Sequence, residues 1–119
     1  GIVDEISSAQ FAEFVSKKLK TVCRVADCGN IIRKVAVCGG AGADFIDDAV
    51  KMGADAYVTG DMDHHDFLHA VDAGITVVAA GHYETENPSL AALKEKVCAD
   101  FSEIEGILLK QCNPVKYEG

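Results

Sequence analysis

The run Ile75-Thr76-Val77-Val78-Ala79-Ala80 constrains the fold of this chain more than any other segment. A strand with one face in water alternates apolar and polar residues, whereas one buried on both faces is apolar nearly throughout. The run therefore predicts a strand inside a parallel sheet, and the segments around it should supply the covering helices.

The rest of the chain fits that demand. Ser7-Ser8-Ala9-Gln10 is a capping box flanked by Ile6 and Phe11, and Phe11, Phe14, Val15 and Leu19 then recur at helical spacing, predicting a helix over 8–20. A short strand over 21–26 and a turn over 27–30 precede an apolar strand, 34–38, that ends in Gly39-Gly40-Ala41-Gly42. A helix over 43–52 with Phe45, Ile46, Ala49 and Val50 inward stops at Gly53. A strand over 56–59 leads to a helix over 62–73, capped by Asp61 or Asp63, burying Phe67, Leu68 and Val71 and closed by Gly74. Asn87-Pro88 reads as a helix start, with Leu90, Leu93, Val97 and Phe101 inward over 88–101, and Ile104 to Lys110 as a last strand. Strands alternating with helices of this length specify an α/β fold. The expected architecture is three layers, a mainly parallel sheet of about five strands with helices on both faces, forming a single domain over 1–119.

The chemistry gathers where two of these strands end. Gly81-His82-Tyr83-Glu84-Thr85-Glu86 follows the buried strand and sets His82 and Glu86 four residues apart, in the crevice where open α/β sheets bind ligands. Imidazole and carboxylate are ligands for divalent metals. Alone, the pair fits equally a solvated loop His and a helix-leading Glu. One βα unit upstream, Gly60-Asp61-Met62-Asp63-His64-His65-Asp66 adds two His and three Asp. Asp61 could orient a ligand from behind or simply cap the helix. His65, and less so His64, could act as cleft acids or bases; His69 reads as a surface helix residue. Gly39, Gly40 and Gly42 could cradle a small anion, or could form a tight strand-to-helix turn needing positive φ. They match neither a dinucleotide fingerprint nor a P-loop.

Taken together, Gly1-Ile2-Val3, Phe11-Ala12-Glu13-Phe14, Val35 to Gly42, Gly60-Asp61 with His65-Asp66, and Gly81-His82-Tyr83 with Thr85-Glu86 resemble the C-terminal half of the Nif-like (NGG-interacting-factor-like) dinuclear-metal-centre family, whose members carry the label GTP cyclohydrolase I type-two homologue. The resemblance implies that His82 and Glu86 are metal ligands and that a His-His pair and an Asp from an absent N-terminal half of the same chain complete a two-metal site. His64-His65 is not that pair. It also implies zinc, iron, manganese or magnesium as cofactor, two ions per complete site, and a metal-dependent hydrolase as the parent activity, with Asp61 and His65 as catalytic candidates. Asp63 stands where many relatives carry a lysine, which argues against an anionic substrate at this helix start. This chain alone is expected neither to retain the metals tightly nor to be active. The alternatives are a non-enzymatic metal-dependent interaction or regulatory module and a small-anion-binding domain.

Composition narrows the partners. Eleven basic against nineteen acidic residues give a net charge of −8, and no basic patch interrupts it beyond Lys17, Lys18 and Lys20, so direct nucleic-acid binding is not expected. No apolar run reaches the ~20 residues of a membrane span. Five cysteines, odd in number and without a Cys-x2-Cys pair, suit a reducing, cytoplasmic setting; Cys28 and Cys112, near turns, are the candidates for reactivity. A chain beginning at Gly1 reads either as excised from a longer protein or as carrying a tag scar, and the resemblance implies excision. An excised half should expose apolar surface and associate as a homo-oligomer.

Overall fold

The computed structural model describes residues 1–116 and 118 and contains β1 (Ile2–Ser7), α1 (Ser8–Leu19), β2 (Arg24–Ala26), β3 (Ile31–Ala41), a 3-10 turn over Ala43–Phe45, α2 (Ile46–Lys51), β4 (Ala56–Asp61), α3 (His64–Asp72), β5 (Thr76–Ala79) and α4 (His82–Asp100). These fall into two compact units, Gly1–Glu86 and Asn87–Gly119.

In the first unit one sheet runs in the order β1-β3-β4-β5-β2. The central ladders β3–β4 and β4–β5 are parallel, whereas the edge strands β1 and β2 pair antiparallel with β3 and β5. The α/β expectation holds, with a mixed sheet parallel at its centre. Alternation along β4 and β5 divides the core. Ala56, Val58, Val78 and Ala80 pack with Phe11 and Val15 of α1, whereas Tyr57 and Val77 pack with Ile46 and Ala49 of α2 and Ala70 of α3. Helices thus cover both faces, and the run 75–80 is buried end to end.

Local signals explain the first helices. Ser7 accepts from the Gln10 amide at 3.3 Å while Gln10 Oε1 accepts from the Ser7 amide at 3.3 Å, the capping box read from the sequence. Helix α3 begins under Asp63, whose amide donates to Asp66 Oδ2 at 2.8 Å, so Asp63 and not Asp61 is the cap. Leu68 and Val71, expected inside, are exposed; the buried residue of α3 is Ala70. Phe14, Phe45 and Val50 are likewise exposed.

Three elements depart from expectation. Strand β1 was not anticipated: Asp4 and Glu5 break its apolar pattern, and its register with β3 shifts between Ile2 and Ile6. Strand β3 runs on through the glycines to Ala41. Helix α4 starts at His82, six residues before Pro88, which lies inside it. Gly81 at φ 89° supplies the turn, and the Thr85 amide bonds to the Gly81 carbonyl at 3.1 Å. In the second unit, Leu93, Val97 and Phe101 are exposed rather than inward, and residues 104–110 form no strand, there being no partner strand for them among the described residues.

Candidate metal site

The carboxyl ends of β3, β4 and β5 meet at a bulge. Cys38 is level with Thr59 but Ala41 with Asp61, so β3 accommodates one extra residue between them. Gly40, at φ 71°, is in the left-handed region that glycine adopts without strain. The bulge is locked from both sides: the Gly40 amide donates to Thr85 Oγ1 at 3.0 Å, and the Gly42 amide to Thr59 Oγ1 at 3.1 Å. Thr59 returns its proton to the Gly40 carbonyl at 3.2 Å, and the Tyr57 hydroxyl donates to the Gly42 carbonyl at 2.7 Å. Burial above all pushes the Tyr57 phenol up to about 12. The Gly40 and Gly42 amides, which with Gly39 offered either an anion cradle or a tight turn, thus donate to protein oxygens.

Onto this bulge the first turn of α4 is laid. His82 Nδ1 lies 2.9 Å from Asp61 Oδ2, and His82 Nε2 lies 3.2 Å from Glu86 Oε1. With Asp63 capping α3, the Asp61 carboxylate at the end of β4 is available to the imidazole. It is the main reason that the His82 pKa is raised above its ordinary value, with Glu86 adding to the effect against slight desolvation. All three side chains are about half exposed, so solvent screens the pairings and they contribute little to stability.

These residues fit a divalent ion in a specific sense. A carboxylate accepting from Nδ1–H fixes the tautomer that leaves the Nε2 lone pair outward, and Nε2 is the atom that faces Glu86. An ion at Nε2 and Glu86 would take up that lone pair, so its binding would compete with protonation of the imidazole. Asp61 faces the opposite nitrogen and cannot share that ion. Among the described residues no group of three or more His, Cys, Asp or Glu is arranged to hold a metal.

The other expected residues lie apart from this triad. His64 and His65 are neighbours on α3, ring centroids 6.1 Å apart, and no hydrogen bond ties either to Asp61 or His82 among the described residues. His69 pairs with Asp47 of α2 at 2.7 Å. Cys28 is half-buried and Cys112 exposed, both as free thiols. Sequence reasoning missed three participants. Thr85 holds the bulge; the signal was its position one helical turn after His82. Gly60 lies so close that a Cβ there would sit 2.9 Å from the His82 Cα. Arg24 donates to the Met62 carbonyl at 2.8 Å, lies over the Phe67 ring at 5.2 Å, and borders a cleft of about 370 Å3 shared with Asp61, Asp63 and Asp66. Only the pairing of β2 with β5 brings Arg24 there.

The family model of Duf34/NIF3 (NGG1p interacting factor 3) matches residues 2–114. A Pseudomonas aeruginosa protein named GTP cyclohydrolase 1 type 2 homolog is 33% identical over 95% of this chain and 44% of its own length. A Nostoc protein of the same name is 46% identical over 60% of this chain and 27% of its own. Among solved structures, a Bacillus cereus protein related to NIF3 superposes with a TM-score of 0.78 at 33% identity, covering 99% of this chain and 35% of that one. A Staphylococcus aureus protein gives 0.84 at 27% identity, covering 98% and 36%. The chain therefore spans less than half the length of each of these proteins. It belongs to the Duf34/NIF3 family.

Proposed function

We propose that this chain contributes His82 and Glu86 to a divalent metal site, with Asp61 holding the imidazole, and that the remaining ligands come from protein outside these 119 residues. The Asp61–His82–Glu86 arrangement carries the reading: one carboxylate behind Nδ1, a second beside Nε2, at the carboxyl end of a parallel sheet. The resemblance to dinuclear-metal proteins supplies the rest: two ions per complete site and metal-assisted hydrolysis as the reaction class. A divalent ion there supplies Lewis acidity, making water a nucleophile near neutral pH and polarising a substrate oxygen. The chain's own part is to orient Nε2 through Asp61, to present Glu86 on the same helix turn, and to line the neighbouring cleft with Asp61, Asp63 and Asp66. That cleft carries more negative than positive charge, so phosphates are poorly served there, and the homologues' GTP cyclohydrolase name does not fix the substrate of this chain.

A second reading, a metal-dependent interaction module, has its own support. Leu93, Phe101, Ile104, Ile107, Leu108 and Leu109 are all exposed in the second unit, which suits association with another protein or another copy. No helix of the described residues is long and apolar enough to cross a membrane.

Zinc titration followed by histidine NMR shifts tests the shared premise. His82 should respond first and His82→Ala should abolish the response; an equal response at His64, His65 or His69 would refute the assignment. Phosphoester and nucleotide hydrolysis by the zinc-loaded protein, measured with the missing ligands supplied, separates the enzyme from the interaction module.

A further inference from the structure

We propose that Gly40 and Thr85 are positioning residues for the His82–Glu86 pair: bare backbone at Gly40, clamped through its amide to the Thr85 hydroxyl, sets the gap in which imidazole and carboxylate converge. The inference rests on the metal-site reading and adds to it the parts of the chain that fix the ligand spacing.

A Cβ on Gly40 would lie 2.5 Å from Glu86 Oε1 and 3.2 Å from His82 Nε2, the two atoms proposed to share an ion. No side chain other than hydrogen leaves both where they are. Positive φ does not distinguish this glycine, because Gly53 and Gly74 have φ 70° and 74° with nothing within 4 Å of an added Cβ. What sets Gly40 apart is the identity of its neighbours.

The clamp supplies the second half. The Gly40 amide reaches Thr85 Oγ1 at 3.0 Å, and Thr85 in turn donates to the Gly81 carbonyl at 2.8 Å, so one hydroxyl ties the bulge to the start of α4. His82 and Glu86 flank Thr85 on that turn, and the clamp fixes their depth over the strand ends. The contrast with Gly60 is instructive. A Cβ at Gly60 would meet backbone, the Gly40 carbonyl at 2.6 Å and the His82 Cα at 2.9 Å, so the fold itself would have to move. At Gly40 the closest atom is the end of a flexible glutamate, which can swing away. Gly40→Ala should therefore leave the sheet intact and open the ligand pair.

The test compares Gly40→Ala and Thr85→Val with Gly53→Ala and Gly74→Ala, which impose similar φ strain without the contact. Each is examined by imidazole nitrogen NMR at alkaline pH, first metal-free and then titrated with Zn2+ alone. The expected result is that Gly40→Ala and Thr85→Val keep the amide shifts of β4 and β5, alter the His82 nitrogen shifts in the metal-free protein, and weaken zinc binding at least tenfold, while the two control variants behave as wild type at His82. Wild-type His82 shifts and zinc affinity in Gly40→Ala and Thr85→Val would overturn the inference and leave the metal reading standing. If the wild type shows no zinc response at His82, the metal reading fails; the positioning inference is then judged on the metal-free shifts. Should Gly40→Ala unfold, Thr85→Val, which keeps the side-chain shape and removes the acceptor, decides the matter.

Discussion

At the amino-terminal end of the sheet Asp55 receives the backbone amides of Arg33 and Lys34 at 2.9 and 2.8 Å, while at the carboxyl end Asp61 faces an imidazole nitrogen at 2.9 Å. Around Asp55 the polar groups satisfy one another. Asn30 donates to the Asp55 carbonyl at 2.9 Å, Thr76 donates to Asn30 at 2.6 Å, and the Cys28 amide donates to Thr76 at 3.1 Å. Around Asp61 the imidazole stands between two carboxylates, Asp61 and Glu86, and all three side chains are half-exposed. The difference lies in the backbone. Regular strand starts offer spare amides that can satisfy a carboxylate, whereas the bulge at Gly40 spends its amides on threonines. The Asp61 carboxylate at this end faces a histidine instead of backbone amides. One end stabilises the fold and the other is open to chemistry.

The largest effect that could break this contrast is at His82. His82→Ala should weaken zinc binding by more than the roughly 10–100-fold that loss of an outer-shell partner causes, and should change stability by no more than about 0.5 kcal/mol, as a half-exposed site allows. Calorimetric zinc titration and urea melts check both. A large loss of stability would show that the carboxyl end is structural after all.

Next comes Asp61→Asn, predicted to weaken zinc binding by about 10–100-fold. It should also lower the His82 pKa toward its ordinary value, because Asp61 is the main cause of the rise. An NMR pH titration reads this directly; an unchanged pKa would remove Asp61 from the site.

At the opposite end, Asp55→Ala should cost about 1 kcal/mol, chiefly for stranding the partly buried Lys34 amide, with zinc binding unaffected. Its pH dependence follows from the sign of the shift. The two backbone amides hold the Asp55 carboxyl below its usual range, so its contribution is complete above the unfolded-state pKa and is lost as pH falls through the folded value. Urea melts on an acid pH series should therefore show a shallower decline for the variant than for the wild type. Parallel declines would deny Asp55 this role.

The smallest effect sharpens the boundary between the two regions. Tyr57→Phe removes the bond to the Gly42 carbonyl at a cost of about 1 kcal/mol and, acting on the bulge from behind, should leave zinc affinity within about twofold, since it changes no atom next to His82. A larger change would mean that the buried side of the bulge also sets the ligand geometry.

Much of this was legible in the sequence where the cause is local. The capping box at Ser7–Gln10 depends on residues three apart, and the buried strand 75–80 announces itself by composition. His82 and Glu86 stood out because both are metal-competent residues beside that strand. Elements whose cause is distant were not legible. Strand β1 exists because β3 offers it an edge, despite Asp4 and Glu5. The start of α4 was masked by Pro88, a stronger local signal than the Gly81–Thr85 pairing that begins the helix. Gly39, Gly40 and Gly42 read as an anion cradle or as a tight turn needing positive φ, and only the fold shows that the helix turn bearing His82 and Glu86 rests on Gly39 and Gly40 while Gly42 lies against Thr59 and Tyr57. Arg24 reaches the cleft through strand pairing that no spacing along the chain reveals.

Anomalous diffraction from crystals soaked in Zn2+ tests the central claim most directly, since it locates the ion without reference to activity. The account predicts a peak bonded to His82 Nε2 and a Glu86 carboxylate oxygen, with Asp61 still on Nδ1. A peak on Nδ1, on His64 or His65, or on the His69–Asp47 pair with none at His82 would contradict it.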